Sequence, residues 1–322
     1  MIYIQRFFWH NVYPMLKKIQ LYSKGYHFIT KSHEPACPPH AVVVHMTNST
    51  NVSGLADRIK CFVTSYIIAK ENGYEFKIHH TNGFKLNSYL VPNKIDWSIS
   101  ESQISYGLSN ARIALILYKI PKLSKAIRQW HIYAAQNIIP YLPNNKSYSF
   151  HEIFWELFKP SSRLENLINS SLSSALGKNW QSQNFIAVHI RFLDYLEKVE
   201  NTKTRVTTSH EDKMKMIYSV ISSLNKIHGQ HPDSRILIFT DSPSFLKADL
   251  PEYISTLDGC IGHISTHRKS QDVADKAFLD LFVIAKSKTV YNIIGPGLYS
   301  SQFSEVGALI GNVPFIRIKR EV

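Results

Sequence analysis

The chain has 322 residues, 44% of them hydrophobic and 19% charged, an ordinary composition for one large globular domain or two medium ones. Lysine and arginine outnumber aspartate and glutamate by 37 to 24, and the resulting charge of +13 favours anionic partners: nucleic acid, anionic lipid or a phosphate-bearing small molecule. No compact basic run and no helix-turn-helix, zinc-finger or RRM signature accompanies the charge, so nucleic acid is not an expected partner, and Cys37, Cys61 and Cys260 fit neither a disulfide nor a zinc framework.

Residues 1–36 stand apart as a basic segment, with Arg6, Lys17, Lys18, Lys24 and Lys31 and no acid before Glu34. Phe8, Val12, Leu16 and Ile19 follow helical spacing. Such a helix either lies in a membrane interface, a peripheral contact through residues 1–31, or packs on the protein's own surface. The stretch lacks the unbroken apolar core of about 7 to 15 residues that a secretory signal needs. No apolar run of about 20 residues suggests a span. The sequons at Asn48, Asn51, Asn145 and Asn169 are short enough to arise by chance. A reducing, cytoplasmic location, peripheral to a membrane if the first helix reading holds, is the expectation.

A second segment, 37–180, begins after the turn-rich Pro35 to Pro39. Ala41 to Met46 reads as a buried strand, Thr47 to Ser53 as a polar loop, and Leu55 to about Lys70 as a helix stopped by Asn72-Gly73. Glu75 to His79 is a second strand, completing the strand–loop–helix–strand unit of parallel α/β sheets. Further on, Ile113 to Tyr118 and Trp130 to Ile139 read as helical, Phe150 to Phe158 as a helix, and Ser170 to Leu176 as a lead into the next domain.

From 181 to 322 the α/β rhythm is clear. Phe185 to Val188 is a buried strand followed by a long polar loop. Ser209-x-x-Asp212, a capping box with Asp in place of Glu, opens a helix through Ile227. Arg235 to Phe239 is a strand, Ala274 to Ala285 a helix, Thr289 to Ile293 a strand, Phe303 to Ile310 a helix, and Val313 to Ile318 a closing strand. Two Rossmann-like α/β domains facing a central cleft is the expected architecture.

In open parallel sheets ligands lie beyond the carboxyl ends of the strands. His189, Arg191 and Asp194 follow the first C-terminal strand, Asp241 and Ser242 the second, and Ser300 and Ser301 the third. The pattern suits a nucleotide. A guanidinium at Arg191 offers a planar fork of donors for phosphate oxygens, and a fixed cation stabilises charge that develops on a leaving diphosphate. The bland reading is an Arg191–Asp194 ion pair at a strand end.

Val188-His189-Ile190-Arg191-Phe192-Leu193-Asp194 resembles the His-x-Arg-Arg-x-Asp segment of α1,2-, α1,6- and protein O-fucosyltransferases, which share the two-domain GT-B fold. Ser53-Gly54-Leu55-Ala56-Asp57-Arg58-Ile59 is similar to the superfamily's glycine-rich N-terminal loop. Ile238 to Pro243 is similar to its strand ending in an acidic pair or Asp-Ser, and Phe278 to Phe282 with Tyr299 to Phe303 to its final Asp-then-Ser-Ser block. The resemblance implies an inverting glycosyltransferase with GDP-fucose as donor substrate, a glycan acceptor, no separate cofactor and no metal. The N-terminal domain would be the acceptor side and the C-terminal one the donor side. Arg191 would bind the diphosphate, His189 would shape its loop, and Asp280 would read the guanine edge. Ser300 and Ser301 would hold phosphate at a helix N-terminus, and Asp241 and Ser242 would lie near ribose or base. Gly54 would allow close approach of the N-terminal loop, with Asp57 and Arg58 facing the cleft. Each of these polar residues also has a structural reading, as a helix cap or a solvated position. Glu197 and Glu200 are the nearest carboxylates to serve as base. The family's second arginine is replaced by Phe192, which leaves Arg191 to act alone, and Ile294 to Leu298 forms a longer Gly/Pro loop than the pattern has.

Overall fold

The computed structural model describes residues 16, 19, 20, 22, 23, 25–27, 34–47, 54–116, 120–133, 137–142, 147–197, 208–262, 264 and 270–320. The chain divides into two compact units. The first comprises Met1–Ser53, Asp57–Lys85 and Pro92–Lys159, and the second Gly54–Ala56, Leu86–Val91 and Pro160–Val322. The division after 159, not 180, follows from helix α3 (Ser162–Leu176), which belongs to the second unit.

Unit 1 is built on β1 (Ala41–Met46), β2 (Glu75–His80), β3 (Ala111–Ala114) and β4 (Gln129–Ile132), all parallel, in the order β2-β1-β4-β3. Every residue of β1 is buried, as an apolar run paired on both edges should be. Helix α1 (Leu55–Asn72) follows it and ends at Gly73, whose φ of +62° is the left-handed conformation that terminates helices. The helical readings of Ile113–Tyr118 and Trp130–Ile139 are corrected here. Ile113 and Ala114 belong to ladder strand β3 and Trp130, His131 and Ile132 to β4, because pairing with a central neighbour outweighs weak local propensity. Residues 117–119 and 134–136 lie outside the described part. Helix α2 (Phe150–Leu157) opens at Ser149, whose side chain accepts from the Glu152 N–H.

Unit 2 contains β5 (Phe185–Ile190), β6 (Arg235–Thr240), β7 (Ile254–Thr256), β8 (Thr289–Ile294) and β9 (Phe315–Lys319). The sheet is parallel in the order β9-β8-β5-β6-β7. Helices α4 (His210–Gln230), α5 (Pro243–Leu246), α6 (Gln271–Ala285) and α7 (Phe303–Gly311) connect the strands. Ser209 caps α4 through the Asp212 N–H at 3.1 Å, as the capping motif predicts. On one face of β5, Ile186, Val188 and Ile190 pack with Met216, Val220, Leu224 and Ile227 of α4. Each such side chain contributes about 1.5–3 kcal/mol on burial. The chain leaves β5 toward β6 and β7, then returns to β8 on the other side of β5. The order therefore reverses between β5 and β8, which is where an open α/β sheet forms a crevice at its carboxyl edge.

Candidate functional site

Arg191 is the residue after β5, at that reversal. Its Nε lies 3.7 Å from Asp241 Oδ2, one residue past β6, with the Arg191 side chain 17% exposed. The same carboxylate accepts the Phe192 N–H at 2.7 Å and the Leu193 N–H at 2.8 Å. Leu193 has φ +52°, a left-handed conformation that costs a leucine energy. The two N–H bonds to Asp241 hold the turn in place. From the other side, the Tyr299 N–H donates to the Arg191 carbonyl at 2.8 Å, and the Tyr299 ring centroid lies 5.4 Å from the guanidinium carbon.

Phe192 continues the β5 alternation that put Ile186, Val188 and Ile190 inside. It is 1% exposed and packs on Phe245 at 5.2 Å between ring centroids. The position where the resembling family has its second arginine is a core position in this chain.

His189 is buried on the opposite face of β5. Asn292 of β8 donates to its carbonyl at 3.1 Å, and the Phe303 ring at the start of α7 lies 5.9 Å from the imidazole. Burial, and then the neighbouring Arg191 charge, depress its pKa to about 3, so the imidazole is neutral. The Asn292 Oδ1 and the Ser304 Oγ are both buried without a hydrogen-bond partner among the described residues. Ser301 accepts the Phe303 N–H at 3.2 Å, satisfying one of the unpaired donors at the start of α7, while Ser300 is exposed. The structure thus brings His189, Arg191, Asp241 and, through the Tyr299 segment, Ser300 and Ser301 to one end of the unit 2 sheet.

Other expected residues are engaged elsewhere. Glu197 Oε1 accepts the Ser242 hydroxyl at 2.8 Å and the Ser244 N–H at 3.0 Å, so this oxygen braces the start of α5. Ser242 is buried and accepts the Phe245 N–H at 3.0 Å, the capping alternative rather than a ribose contact. Asp194 sits partly buried in the turn beyond Leu193. Asp280 is in the interior of α6, where Lys276 Nζ reaches its carboxylate at 2.5 Å. Burial raises its pKa and the Lys276 charge works against that rise. It is not a surface position. Glu200 lies outside the described residues.

Near the start of α1, Gly54 is part-buried just before the helix, and Asp57 pairs with Lys60 at 2.7 Å. The alternative reading of Arg58 as a solvated helix residue is corrected, since its exposure is 0%. One Nη donates to His80 Nε2 at 3.0 Å and to the Asn82 carbonyl at 3.1 Å, and Phe84 lies under the guanidinium. Tyr299 and Asn292 were not singled out from the sequence. The signal for Tyr299 was its place directly after the Gly/Pro loop, and Asn292 was hidden inside an apolar strand.

Unit 1 carries a buried cluster of a different kind. The register that pairs His45 with His79 puts both on one sheet face with His131 of β4. His45 Nδ1 and His79 Nδ1 are 3.2 Å apart, and the His45 and His131 rings 4.3 Å apart. Gln129 Oε1 accepts from the Ser105 N–H at 2.8 Å and faces His131 Nε2 at 3.3 Å, so that nitrogen carries the proton. His131 Nδ1 therefore accepts from Tyr26 at 2.6 Å, whose oxygen accepts from Tyr133 at 3.0 Å. Burial depresses the His131 pKa to about 3 and holds His45 well below its ordinary value, with neighbouring imidazoles adding to both shifts. Glu34 accepts from Ser105 Oγ and the Tyr106 N–H and meets His27 at 3.1 Å. Tyr22, Tyr26 and His27, near the end of the basic segment, are thereby fastened to unit 1. Leu16 and Ile19 of its stripe are 52% and 55% exposed, and the residues between 1 and 15 lie outside the described part.

No family model and no curated protein matches the chain. Among solved structures, the NodZ α-1,6-fucosyltransferase soaked with GDP-fucose matches 87% of this chain and 95% of its own, with a TM-score of 0.58 and 14% identity. NodZ co-crystallised with GDP gives a TM-score of 0.57 and 14% identity over 88% and 96% of the two chains. POFUT1 in complex with GDP-fucose is a more distant likeness, with a TM-score of 0.48 and 12% identity over 89% and 99%. At such identities the likeness is one of fold: the two parallel α/β units match the GT-B architecture of the NodZ structures.

Proposed function

We propose that the chain is a glycosyltransferase that moves fucose from GDP-fucose to a glycan hydroxyl, with inversion at the transferred carbon. The observation that carries this reading is the placement of Arg191. It stands at the strand-order reversal of unit 2, clamped through Asp241, beside the α7 N-terminus that follows Ser300 and Ser301. The fold shared with NodZ, solved with GDP-fucose and with GDP, supports the choice of donor.

As the bond from sugar to diphosphate breaks, negative charge accumulates on the departing phosphate. Arg191 meets that charge more strongly than it meets the intact donor, and this difference lowers the barrier. The N–H groups at the start of α7 and the free hydroxyl of Ser300 supply further donors to the phosphates. His189, neutral and anchored by Asn292, shapes the loop without adding charge. Asp280 remains the candidate for the guanine edge, with Lys276 as its existing partner.

A second reading, a GDP- or glycan-binding protein without turnover, is favoured by the engagement of Glu197 Oε1 with Ser242 and Ser244 at the start of α5. Thermal shift with GDP, UDP and GDP-fucose, followed by assay of GDP release on a glycan panel, separates the two. Transferase activity is expected with GDP-fucose and a preference for GDP over UDP. Arg191→Ala should keep its circular dichroism spectrum and lose GDP affinity by roughly ten- to a hundredfold, the range of a charged hydrogen-bonded contact. A variant that binds GDP as the unaltered protein does removes Arg191 from the site.

A further inference from the structure

We infer that unit 2 has a second binding site, at the amino edge of its sheet, and that it takes a neutral saccharide. Because the strands are parallel, the residues that precede β5, β6 and β8 gather at one edge. Asn184, Ser234 and Lys288 hold those positions, and with the end of α4 and the 231–234 turn they line a cavity of about 530 Å³. That volume lies within the roughly 300–1,000 Å³ of small-molecule sites. Arg191 follows the opposite end of β5, about 20 Å away for a six-residue strand, so the donor reading neither requires nor explains this cavity.

Ser234 lines the cavity at 9% exposure, yet its hydroxyl has no hydrogen-bond partner among the described residues. A hydroxyl buried in that way carries a desolvation penalty, which a ligand that bonds to it removes. The hydroxyl of buried Tyr291 donates to Gln230 Oε1 at 3.2 Å and accepts from His231 Nε2 at 2.9 Å, which leaves Nδ1 of the neutral ring as an acceptor. The side chains of Gln183, Asn184, Asp233 and Lys288 also have no partner among the described residues. The kinds of group present decide the ligand. Every lining side chain except Pro232 is polar, which excludes an apolar molecule. Lys288 shares the cavity with the Asp233 carboxylate, which repels an anion. Arg235 has one Nη on the Glu252 carbonyl at 2.8 Å and the other on Ser255 Oγ at 2.9 Å, so a phosphate finds no open clamp. The lining holds no Phe, Tyr or Trp on which a nucleobase would stack. Sugar hydroxyls both donate and accept, and so can pair with amides, a hydroxyl, an imidazole nitrogen, a carboxylate and an ammonium together.

The test is electrophoresis of the folded full chain through native gels cast with dextran or galactomannan, which are neutral, or with dextran sulfate. At least one neutral polymer should slow the unaltered protein. Ser234→Ala should weaken that retardation by roughly three- to tenfold, the strength of one neutral hydrogen bond, and Asp233→Ala by roughly ten- to a hundredfold, that of a charged one. Both variants should keep the circular dichroism spectrum, the Tm and the GDP affinity of the unaltered protein. Arg191→Ala should be slowed as the unaltered protein is, whatever becomes of its GDP binding, so the donor reading can fail while this one stands. No retardation by either neutral polymer, or retardation by dextran sulfate alone, overturns the inference. Retardation that survives in both cavity variants, or that disappears in Arg191→Ala, places the sugar elsewhere and overturns it as well.

Discussion

Lowering the pH from 7 to 5.5 should destabilise this protein through its buried imidazoles. His45, His131 and His189 are 1%, 0% and 7% exposed. His131 and His189 have pKa values depressed to about 3 and His45 is held well below 6.5, so none takes up a proton in the folded chain across this range. In the unfolded chain each titrates near 6.5. Because the folded pKa is the lower one, the folded state suffers no penalty above 6.5 and loses stability as pH falls from there toward 3. Between pH 7 and 5.5 one such histidine costs about 1.3 kcal/mol, and three cost about 4 kcal/mol. His79 and His80 are shifted in the same direction and add to the effect. Domains are stable by only about 5–15 kcal/mol, so the loss is large. Two of the three lie in unit 1, which should therefore soften first. Urea unfolding at the two pH values, followed by circular dichroism and by tryptophan emission, measures it. A stability at pH 5.5 within about 1 kcal/mol of that at pH 7 would refute the argument that these imidazoles stay neutral.

Asp241→Asn keeps shape but offers one acceptor oxygen to the two N–H groups, and should cost about 1.5–3 kcal/mol in urea unfolding while weakening GDP binding. Lys276→Met leaves the buried Asp280 carboxylate without its cation. A loss of about 3–5 kcal/mol is expected, largely recovered by adding Asp280→Leu, and a loss under about 1 kcal/mol would contradict the burial of that pair. Gly311→Ala would set a Cβ 2.0 Å from the Ala285 carbonyl oxygen, so α7 must shift from α6; thermal unfolding should show about 1–3 kcal/mol of destabilisation.

The strands that the sequence reveals are those where buried position and apolar composition coincide. Ala41–Met46 was read with its observed bounds, and Phe185–Ile190 only two residues short. The middle of unit 1 was read as helical because Gln129-Trp130-His131-Ile132 hides its nature. Gln129 and His131 are both fully buried, and what makes that tolerable is a hydrogen-bond network drawn from Gln103, Ser105 and Tyr26, none of which periodicity can show. The same limit applies to the polar residues of the site. Spacing placed Arg191 and Asp241 at neighbouring strand ends, and parallel pairing of β5 with β6 made them meet. Whether Asp241 touches a ligand or clamps its own chain depends on where two backbone N–H groups point, which is a matter of the left-handed turn at Leu193. For Ser242 the sequence leaves a ligand contact and a helix cap both open, and in the fold it caps α5 with Glu197 as its partner.

The inward turn of Phe192 limits how this end of the sheet can change. An arginine placed there would enter among Ile190, Phe245 and Leu196 with its charge unsolvated, so a double cation cannot be rebuilt by that single replacement. Among the described residues 191–197, Arg191 is the one cation, and its charge is monovalent and delocalised. The planar fork of a guanidinium makes outline and donor direction matter beside charge in what it can grip.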